Sequence, residues 1–141
     1  MREFFDSSVL IAAFWGGHAK HSPSIKCLSN ADKRHSSCSI QSLAEIYAVM
    51  SSLPVAPGIP PEQVMLFVEE VRSRLTLVSL DEKEYFQTFQ RCVDRGFTSG
   101  RIYDALLLSC AAKSGAQTIF TWDLKHFRAT ARELAERIRT P

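Results

Sequence analysis

The sequence lacks the features that mark secreted, membrane-embedded or strongly charged proteins. Its 17 lysines and arginines nearly balance 15 aspartates and glutamates, giving a formal net charge of +2, and such a charge neither requires nor excludes a polyanionic partner. The apolar stretch over residues 9–15 is too short to cross a membrane. Since no small-residue cleavage site of the secretory kind is evident either, we expect no targeting segment and no membrane partner.

Cysteine is scarce and unclustered. The four cysteines, Cys27, Cys38, Cys92 and Cys110, show no C-x-x-C spacing. Without a secretory signal, scattered cysteines indicate reduced side chains that are mostly buried as small apolar groups. The sequence therefore predicts a cytoplasmic protein.

Internal repeats and low-complexity tracts are also absent. With 141 residues, 45% of them hydrophobic, the chain is long enough to bury one sizeable core and leaves little room for a second. The clearest interruption is LPVAPGIPP, residues 53–61, whose prolines and glycine break helices. We interpret it as a loop within a single domain that covers residues 1–141.

Short strand patterns alternate with helix patterns along the chain. The predicted strands are EFF near the start, SSCSI at 36–40, TLVSL at 76–80, QTIFT at 117–121 and a weak candidate around Ile138. Helices are predicted after a cap at Ser22, after Ser42 and from Pro61, and two further helices are predicted to end at Gly96 and Gly115. This alternation favours an α/β protein with a parallel sheet covered on both faces.

Four acidic residues are predicted at one edge of that sheet. Asp6 directly follows the first strand, and Asp123 follows the strand at 117–121. Glu45 and Asp104 fall on the predicted first turns of two helices, SLAEIYAVM and GRIYDALLLSCAAKSG. Because ligands of open parallel sheets bind outside the carboxyl ends of the strands, we expect the four carboxylates to face one crevice.

Converging carboxylates repel one another unless some become protonated or a cation neutralises them. An all-oxygen set without clustered histidine or cysteine suits Mg²⁺ or Mn²⁺ better than zinc. Such ions activate water and neutralise charge on phosphate. The implied reaction is phosphodiester hydrolysis.

Simpler explanations exist for each of the four acids. Asp6 could cap a helix that begins directly after it, and Glu45 stands at capping-box spacing from Ser42. Asp123 could cap LKHFRATARELAE. Asp104 could stabilise the first turn of its helix through the helix dipole. A functional role is favoured, because Asp104 interrupts the apolar face of IYDALLLSCAA, where a solvated charge is out of place.

The segments around the four acids occur in the order of a known family. They are FFDSSVLIAAF, SLAEIYAVMSSLP, GRIYDALLLSCAAKSGA and IFTWDLKHF. Over nearly its full length the chain resembles PIN-domain nucleases, and among them the VapC-type toxins of bacterial toxin–antitoxin pairs. The resemblance implies a three-layer α/β/α sandwich with a central, mostly parallel sheet. It also implies an Mg²⁺- or Mn²⁺-dependent endoribonuclease that cleaves transfer or ribosomal RNA, forms a homodimer and is neutralised by an antitoxin whose tail enters the acidic groove.

The resemblance also implies roles for individual residues. The acidic metal site would comprise Asp6, Glu45, Asp104 and Asp123, with Asp6 and Asp104 as primary ligands and Asp123 as a helper. Supporting hydroxyl groups that orient the acids or a water would be Ser7, Ser8 and Thr121. Basic residues predicted to contact RNA phosphates near the crevice are Arg101, Lys125, His126 and Arg128.

Two further interpretations compete with a metal-dependent ribonuclease. A phosphatase or phosphoacceptor domain also places an aspartate at a strand end, but the phosphatase pattern wants a second aspartate where Ser8 stands. A catalytically silent scaffold that binds RNA or a protein gains nothing from four converging negative charges. For protein partners, the apolar residues Ile46, Val49, Met65 and Phe67 form either ordinary core or a dimer or antitoxin surface.

Overall fold

Five strands form one sheet in which every pairing is parallel. The computed structural model describes residues 1–141, with strands at Glu3–Phe5 (β1), Ser36–Ser39 (β2), Thr76–Val78 (β3), Thr118–Phe120 (β4) and Ile138–Arg139 (β5). Their order across the sheet is β3-β2-β1-β4-β5, which puts β1 at the centre. All five predicted strands are confirmed, although β2, β3 and β4 are shorter than predicted. For β2 the reason is that the next helix already begins at Ile40.

Seven α-helices and one 3₁₀-helix connect and cover the strands. They are Ser7–Phe14 (α1), His21–Ser29 (α2), Ile40–Met50 (α3), Pro61–Arg74 (α4), Glu82–Arg95 (α5), Arg101–Ser114 (α6) and Leu124–Thr130 (α7), with the 3₁₀-helix at Arg132–Arg137. The predicted ends of α5 and α6 are confirmed, because Gly96 and Gly115 adopt left-handed φ angles of 69° and 72°. None of these helices is long and apolar enough to cross a membrane.

Two hydrophobic cores lie on opposite faces of the sheet. Phe5 belongs to the core formed with α1 to α4, whereas its neighbour Phe4 belongs to the core formed with α6 and α7. Successive side chains of a strand point to opposite faces, so these two fully buried rings anchor both layers of helices. The predicted α/β/α sandwich is confirmed. The parallel sheet aligns the carboxyl ends of its strands at one edge.

Two predicted helix starts are wrong. Helix α2 begins at His21 rather than after a Ser22 cap, and the His21 ring nitrogen Nδ1 donates to the Ala12 carbonyl at 2.9 Å, so a contact with α1 holds this start. Helix α3 begins at Ile40, and its cap is Ser39, whose hydroxyl accepts from the Gln41 backbone N–H at 3.1 Å. The proposed capping box at Ser42 is therefore absent.

The segment after β4 also differs from the prediction. A single helix was expected over 124–136, but α7 ends at Thr130 and the chain continues as the 3₁₀-helix before joining the sheet as β5. After this break, Ile138 and Arg139 pair with Ile119 and Phe120 of β4. All four cysteine thiols are free, and three of them are buried, as predicted.

Candidate active site

Asp6 lies where the central strand β1 ends and α1 begins. Its carboxylate oxygen Oδ2 accepts from the Ser8 backbone N–H at 3.3 Å, from the Ser8 hydroxyl at 2.7 Å and from the Thr121 hydroxyl at 2.8 Å. The residue is only 4% exposed. Asp6 is therefore the cap of α1, as one interpretation of the sequence predicted. Because all three bonds end on Oδ2, the cap leaves Oδ1 free for other contacts.

The same hydroxyl groups connect the ends of β1 and β4. Ser8 Oγ accepts from the Trp122 backbone N–H at 3.1 Å, and Thr121 Oγ1 accepts from the Asp123 backbone N–H at 3.0 Å. Each hydroxyl thus accepts from the loop after β4 while it donates to Asp6. This network fixes the backbone of Asp123 relative to Asp6, which is 117 positions away in sequence but adjacent across the sheet.

A cavity of about 610 Å³ lies at this edge of the sheet and collects all four predicted acids. Its lining comprises Asp6, Ser7, Ser8, Ile11, Gln41, Glu45, Tyr103, Asp104, Leu107, Asp123 and Phe127. The strand ends contribute Asp6 and Asp123, while α3 contributes Glu45 and α6 contributes Asp104. A second cavity, of about 370 Å³, lies beside α5 and α6 and contains none of the predicted site residues.

The acids in the cavity influence one another. Burial raises the pKa of Asp6 to about 6, against the lowering effect of its hydrogen bonds. Burial also raises the pKa of Asp104, and the neighbouring carboxylates of Asp123 and Glu45 raise it further, while His126 and Arg101 act in the opposite direction. The carboxylates of Asp123 and Glu45 are therefore close enough to repel that of Asp104, which is the condition that a bound cation relieves.

Neighbouring side chains orient two of the acids. Gln41 lies one helical turn before Glu45 on α3, and its amide Nε2 donates to Glu45 Oε1 at 2.9 Å. Asp123 occupies the cap position of α7, but its side chain makes no capping bond and instead accepts from His126 Nδ1 at 2.8 Å. The capping explanations for Glu45 and Asp123 are thus wrong, because both carboxylates are turned to other partners.

A buried hydroxyl pair lies behind this part of the cavity. The Ser7 hydroxyl donates to the Ser42 hydroxyl at 2.8 Å, and both residues are buried. This contact joins the first turn of α1 to the first turn of α3. Glu45 lies one turn after Ser42, in the second turn of α3 and not in the first turn as predicted. The contact between Ser7 and Ser42 therefore fixes the side of α3 from which Glu45 enters the cavity.

The donor set fits a hard divalent cation. No three aspartate, glutamate, histidine or cysteine side chains stand close enough to form a closed cage for an ion. Mg²⁺ does not need such a cage, because it keeps several waters and is often held by only one or two carboxylates together with substrate phosphate. Asp6 Oδ1 and the carboxylate of Asp104 would be oxygen ligands of this kind.

None of the four predicted basic residues belongs to the cavity lining. Arg101 stacks on the Phe97 ring at 3.6 Å and belongs to the first turn of α6 with Asp104. Lys125 and His126 are exposed on α7, beside Asp123. Arg128 has a structural contact, since its Nη2 donates to the Ile138 carbonyl at 2.7 Å and joins α7 to β5.

Five residues of the lining were not among the predicted site residues, and two of them, Gln41 and Tyr103, carry polar groups. Gln41 could have been found from its spacing, because a side chain four positions before Glu45 lies on the same helical face. Tyr103 gives no such signal, because its exposure depends on how α6 packs. Among the apolar residues considered for an interface, Ile46 is core and Phe67 stacks on Phe14, whereas Val49 and Met65 are exposed.

The fold and this cavity define a class: α/β/α proteins with an acidic crevice at the carboxyl edge of a parallel sheet. A family model described as "PIN domain" matches residues 4–133. The chain belongs to the PIN-domain family, and the resemblance found in the sequence is thereby confirmed.

Similar proteins include VapC toxins. Over 134 residues the chain is 29% identical to Ribonuclease VapC40 of Mycobacterium tuberculosis, in two strains, covering 95% of this chain and 92% of that protein. M. tuberculosis VapC20, described as a Sarcin-Ricin loop cleaving toxin, superposes with a TM-score of 0.72 at 16% identity, covering 90% of this chain and 94% of that one. VapBC2 of Rickettsia felis, bound to a promoter DNA fragment, superposes with a TM-score of 0.65 at 18% identity. The match covers 99% of this chain and 98% of that one. VapBC-1 of nontypeable Haemophilus influenzae superposes with a TM-score of 0.64 at 16% identity, covering 99% of this chain and 98% of that one.

Proposed function

We propose that this protein is an endoribonuclease dependent on Mg²⁺ or Mn²⁺ and that it acts as the toxin of a toxin–antitoxin pair. The observation that carries the proposal is the convergence of four carboxylates from four elements in one cavity. Burial raises the pKa of Asp104, and the nearby carboxylates of Asp123 and Glu45 raise it further, which favours a cation beside them. Membership of the PIN-domain family and similarity to a protein named a ribonuclease support the same activity.

The residues divide into ligands and supports. Asp6 and Asp104 would hold the ion, and Asp123 and Glu45 would act as helpers that hold water. When bound, the ion would neutralise charge on the phosphate and favour deprotonation of a nearby water. Ser8 and Thr121 orient Asp6, Gln41 orients Glu45 and His126 orients Asp123. In each case the hydrogen bond restricts the carboxylate to one rotamer before substrate arrives, which reduces the reorganisation needed for hydrolysis.

We propose transfer or ribosomal RNA as the substrate class. A cavity lined by acids repels phosphate unless cations compensate for them, and the four predicted basic residues Arg101, Lys125, His126 and Arg128 would supply such cations. Of these, Arg101 and His126 are near enough to act on the charge of Asp104. VapC20, one of the similar structures, is described as a Sarcin-Ricin loop cleaving toxin.

A cognate antitoxin would cover the surface formed by α3 and α4. Five large apolar side chains are exposed on these two helices: Ile40, Tyr47, Val49, Met65 and Leu66. Because α3 also carries Glu45 and Gln41 into the cavity, a segment lying along α3 could extend directly to the acids. Two of the similar structures, VapBC2 and VapBC-1, support a partner of this kind. The cytoplasmic location stays a prediction.

A second copy of the chain would pair through α5. This helix packs on α6 with one side, and its opposite side exposes an apolar stripe formed by Tyr85, Phe86, Phe89 and Val93. The first turn of α5 is acidic and its last turn is basic. An antiparallel crossing of two α5 helices would therefore bring opposite charges together at both ends of the stripe.

The activity is tested by incubating total cellular RNA with purified, antitoxin-free protein in Mg²⁺ or Mn²⁺ and in a chelator. We expect discrete fragments only with metal, and a rate about 100- to 1,000-fold lower for Asp104→Asn, because one charge-stabilising group is lost. Asp32→Asn is the matched control. Asp32 is exposed and accepts hydrogen bonds only within its own turn. Equal cleavage by both variants, or no cleavage at all, would favour the silent scaffold.

A further inference from the structure

Tyr103 is an exposed aromatic side chain inside an acidic cavity. It lies in the first turn of α6, one residue before Asp104, and 62% of its surface is exposed. Exposed aromatic rings are costly to hydrate and gain most from a ligand that covers them. Its ring belongs to the cavity lining together with all four acids. The residue is therefore open to whatever molecule the acids act on.

Other aromatic rings around the cavity are already covered. Phe127, the other ring of the lining, is 2% exposed. Phe97 is covered by the guanidinium of Arg101 at 3.6 Å. Trp122 lies under the Lys20 ammonium at 5.1 Å, and its indole N–H donates to Ser24 Oγ at 2.8 Å. Tyr103 is thus the ring of this region that offers an open face.

The chemistry of an RNA substrate matches this arrangement. Proteins that read unpaired RNA stack its bases on aromatic side chains, because every base has a π-face. Carboxylates cannot attract a nucleotide by charge, so an apolar contact close to the acids would hold the substrate where its phosphate meets them. Tyr103 and Asp104 are consecutive residues of α6, so the distance between them is fixed. This distance would set how far the stacked base lies from the cleaved bond.

We propose that Tyr103 is the platform on which an unpaired nucleobase next to the scissile phosphate stacks. The inference rests on the proposed ribonuclease function and adds a positioning residue for its substrate. It predicts a preference for unpaired RNA that depends on one side chain of α6. Tyr103 takes no part in bond breaking.

Binding is measured with the Asp104→Asn variant, which keeps RNA uncut, and a fluorescein-labelled, single-stranded oligoribonucleotide of mixed sequence in Mg²⁺. Adding Tyr103→Ala is expected to raise Kd about 5- to 150-fold, which is the range for one lost base stack. Tyr103→Phe, which keeps the ring, is expected to stay within about twofold. A duplex of the same sequence would show no dependence on Tyr103, because its bases are already paired and stacked.

Tyr47→Ala is the matched control. Tyr47 is also exposed and lies on α3, a helix that carries a cavity acid, but it is outside the cavity lining. Its removal is expected to leave Kd unchanged. In a background with Asp104 intact, Tyr103→Ala is expected to raise KM by the same factor as Kd while kcat stays within about threefold, because stacking is uniform binding. Circular dichroism checks that each variant is folded.

The outcomes separate this inference from the function on which it rests. Metal-dependent cleavage with an unchanged Kd and KM in Tyr103→Ala would overturn the role of Tyr103 and leave the ribonuclease intact. If the wild-type chain neither cleaves nor binds RNA, both fail. If Tyr103→Ala changes the sedimentation mass but not the RNA affinity, the ring belongs to a protein interface and the inference is wrong.

Discussion

Asp6 combines a structural and a chemical role in one carboxylate. Its oxygen Oδ2 accepts three hydrogen bonds that cap α1 and join it to Thr121, and Oδ1 accepts none of them. Burial nevertheless raises its pKa to about 6, because the hydrogen bonds only partly compensate for lost hydration. In the absence of a cation, an ionised Asp6 therefore destabilises the folded state.

This cost gives a pH-dependent prediction for Asp6→Asn in a chelator. The folded pKa lies above the unfolded value of 3.8, so the stability linked to Asp6 is fully present below pH 4 and is lost as the pH rises through 6. Asparagine keeps one acceptor oxygen and carries no charge. We expect the variant to be more stable than the wild type by up to about 3 kcal/mol at pH 8, and to lose this advantage at pH 4.

Urea unfolding at the two pH values measures the difference. Asp32→Asn gives a control of opposite sign, because a hydrogen bond from His35 lowers the pKa of exposed Asp32. The stabilising effect of the Asp32 carboxylate is present above its unfolded pKa and is lost as the pH falls. An Asp6→Asn variant that is less stable than the wild type at pH 8 would contradict the assigned burial cost.

At the scale of elements, the buried pair of Ser7 and Ser42 decides how α1 and α3 meet. Either single change to alanine leaves the other hydroxyl buried without its partner, which costs about 1–3 kcal/mol. Replacing both removes the unsatisfied group. We therefore expect the double variant to be less destabilised than the sum of the two single variants, as measured in a double-mutant cycle by urea unfolding.

The same single and double variants can be compared by their kcat. Because the pair fixes the side of α3 that carries Glu45, each single variant is also expected to lower kcat, and the double variant to recover part of it. Additive losses of stability would mean that Ser7 and Ser42 are not coupled. The position of Glu45 would then depend on other contacts of α3.

These elements also show how far the sequence alone can lead. Asp6 and Asp123 could be placed together because parallel strands align their carboxyl ends, whatever the packing. The start of α3 could not be predicted, because Ser39 and Ser42 are equally good helix caps in the local sequence. The hydroxyl of Ser39 caps the helix, whereas that of Ser42 is bonded to Ser7. Tyr103 was missed for a related reason: a sequence pattern does not tell which side of a helix faces a cavity.

At the scale of the whole molecule, the central strand organises both the cores and the site. Phe4 and Phe5 anchor the two helical layers, and the next residue, Asp6, enters the cavity. Helix α5 is the exception to this layered packing, since most of its apolar side faces outward. Of the stripe residues, Phe86 and Val93 are 64% and 71% exposed.

This exposed stripe predicts the oligomeric state. Phe86→Lys is expected to convert a homodimer into monomers, because a charge in the centre of an apolar interface remains unpaired. Sedimentation velocity measures the change, and Leu66→Lys on α4 is the control on the other exposed apolar surface. A mass that responds to Leu66→Lys and not to Phe86→Lys would assign the second copy to the surface of α3 and α4.

The central claim is that the converging carboxylates hold a divalent cation, and a Mn²⁺ titration followed by electron paramagnetic resonance tests it most directly. We expect one or two bound ions that Mg²⁺ displaces, and an affinity at least about tenfold lower in Asp6→Asn and in Asp104→Asn, with no change in Asp32→Asn. Because the measurement needs no RNA, it does not depend on the substrate. Unchanged Mn²⁺ affinity in both cavity variants would contradict the account.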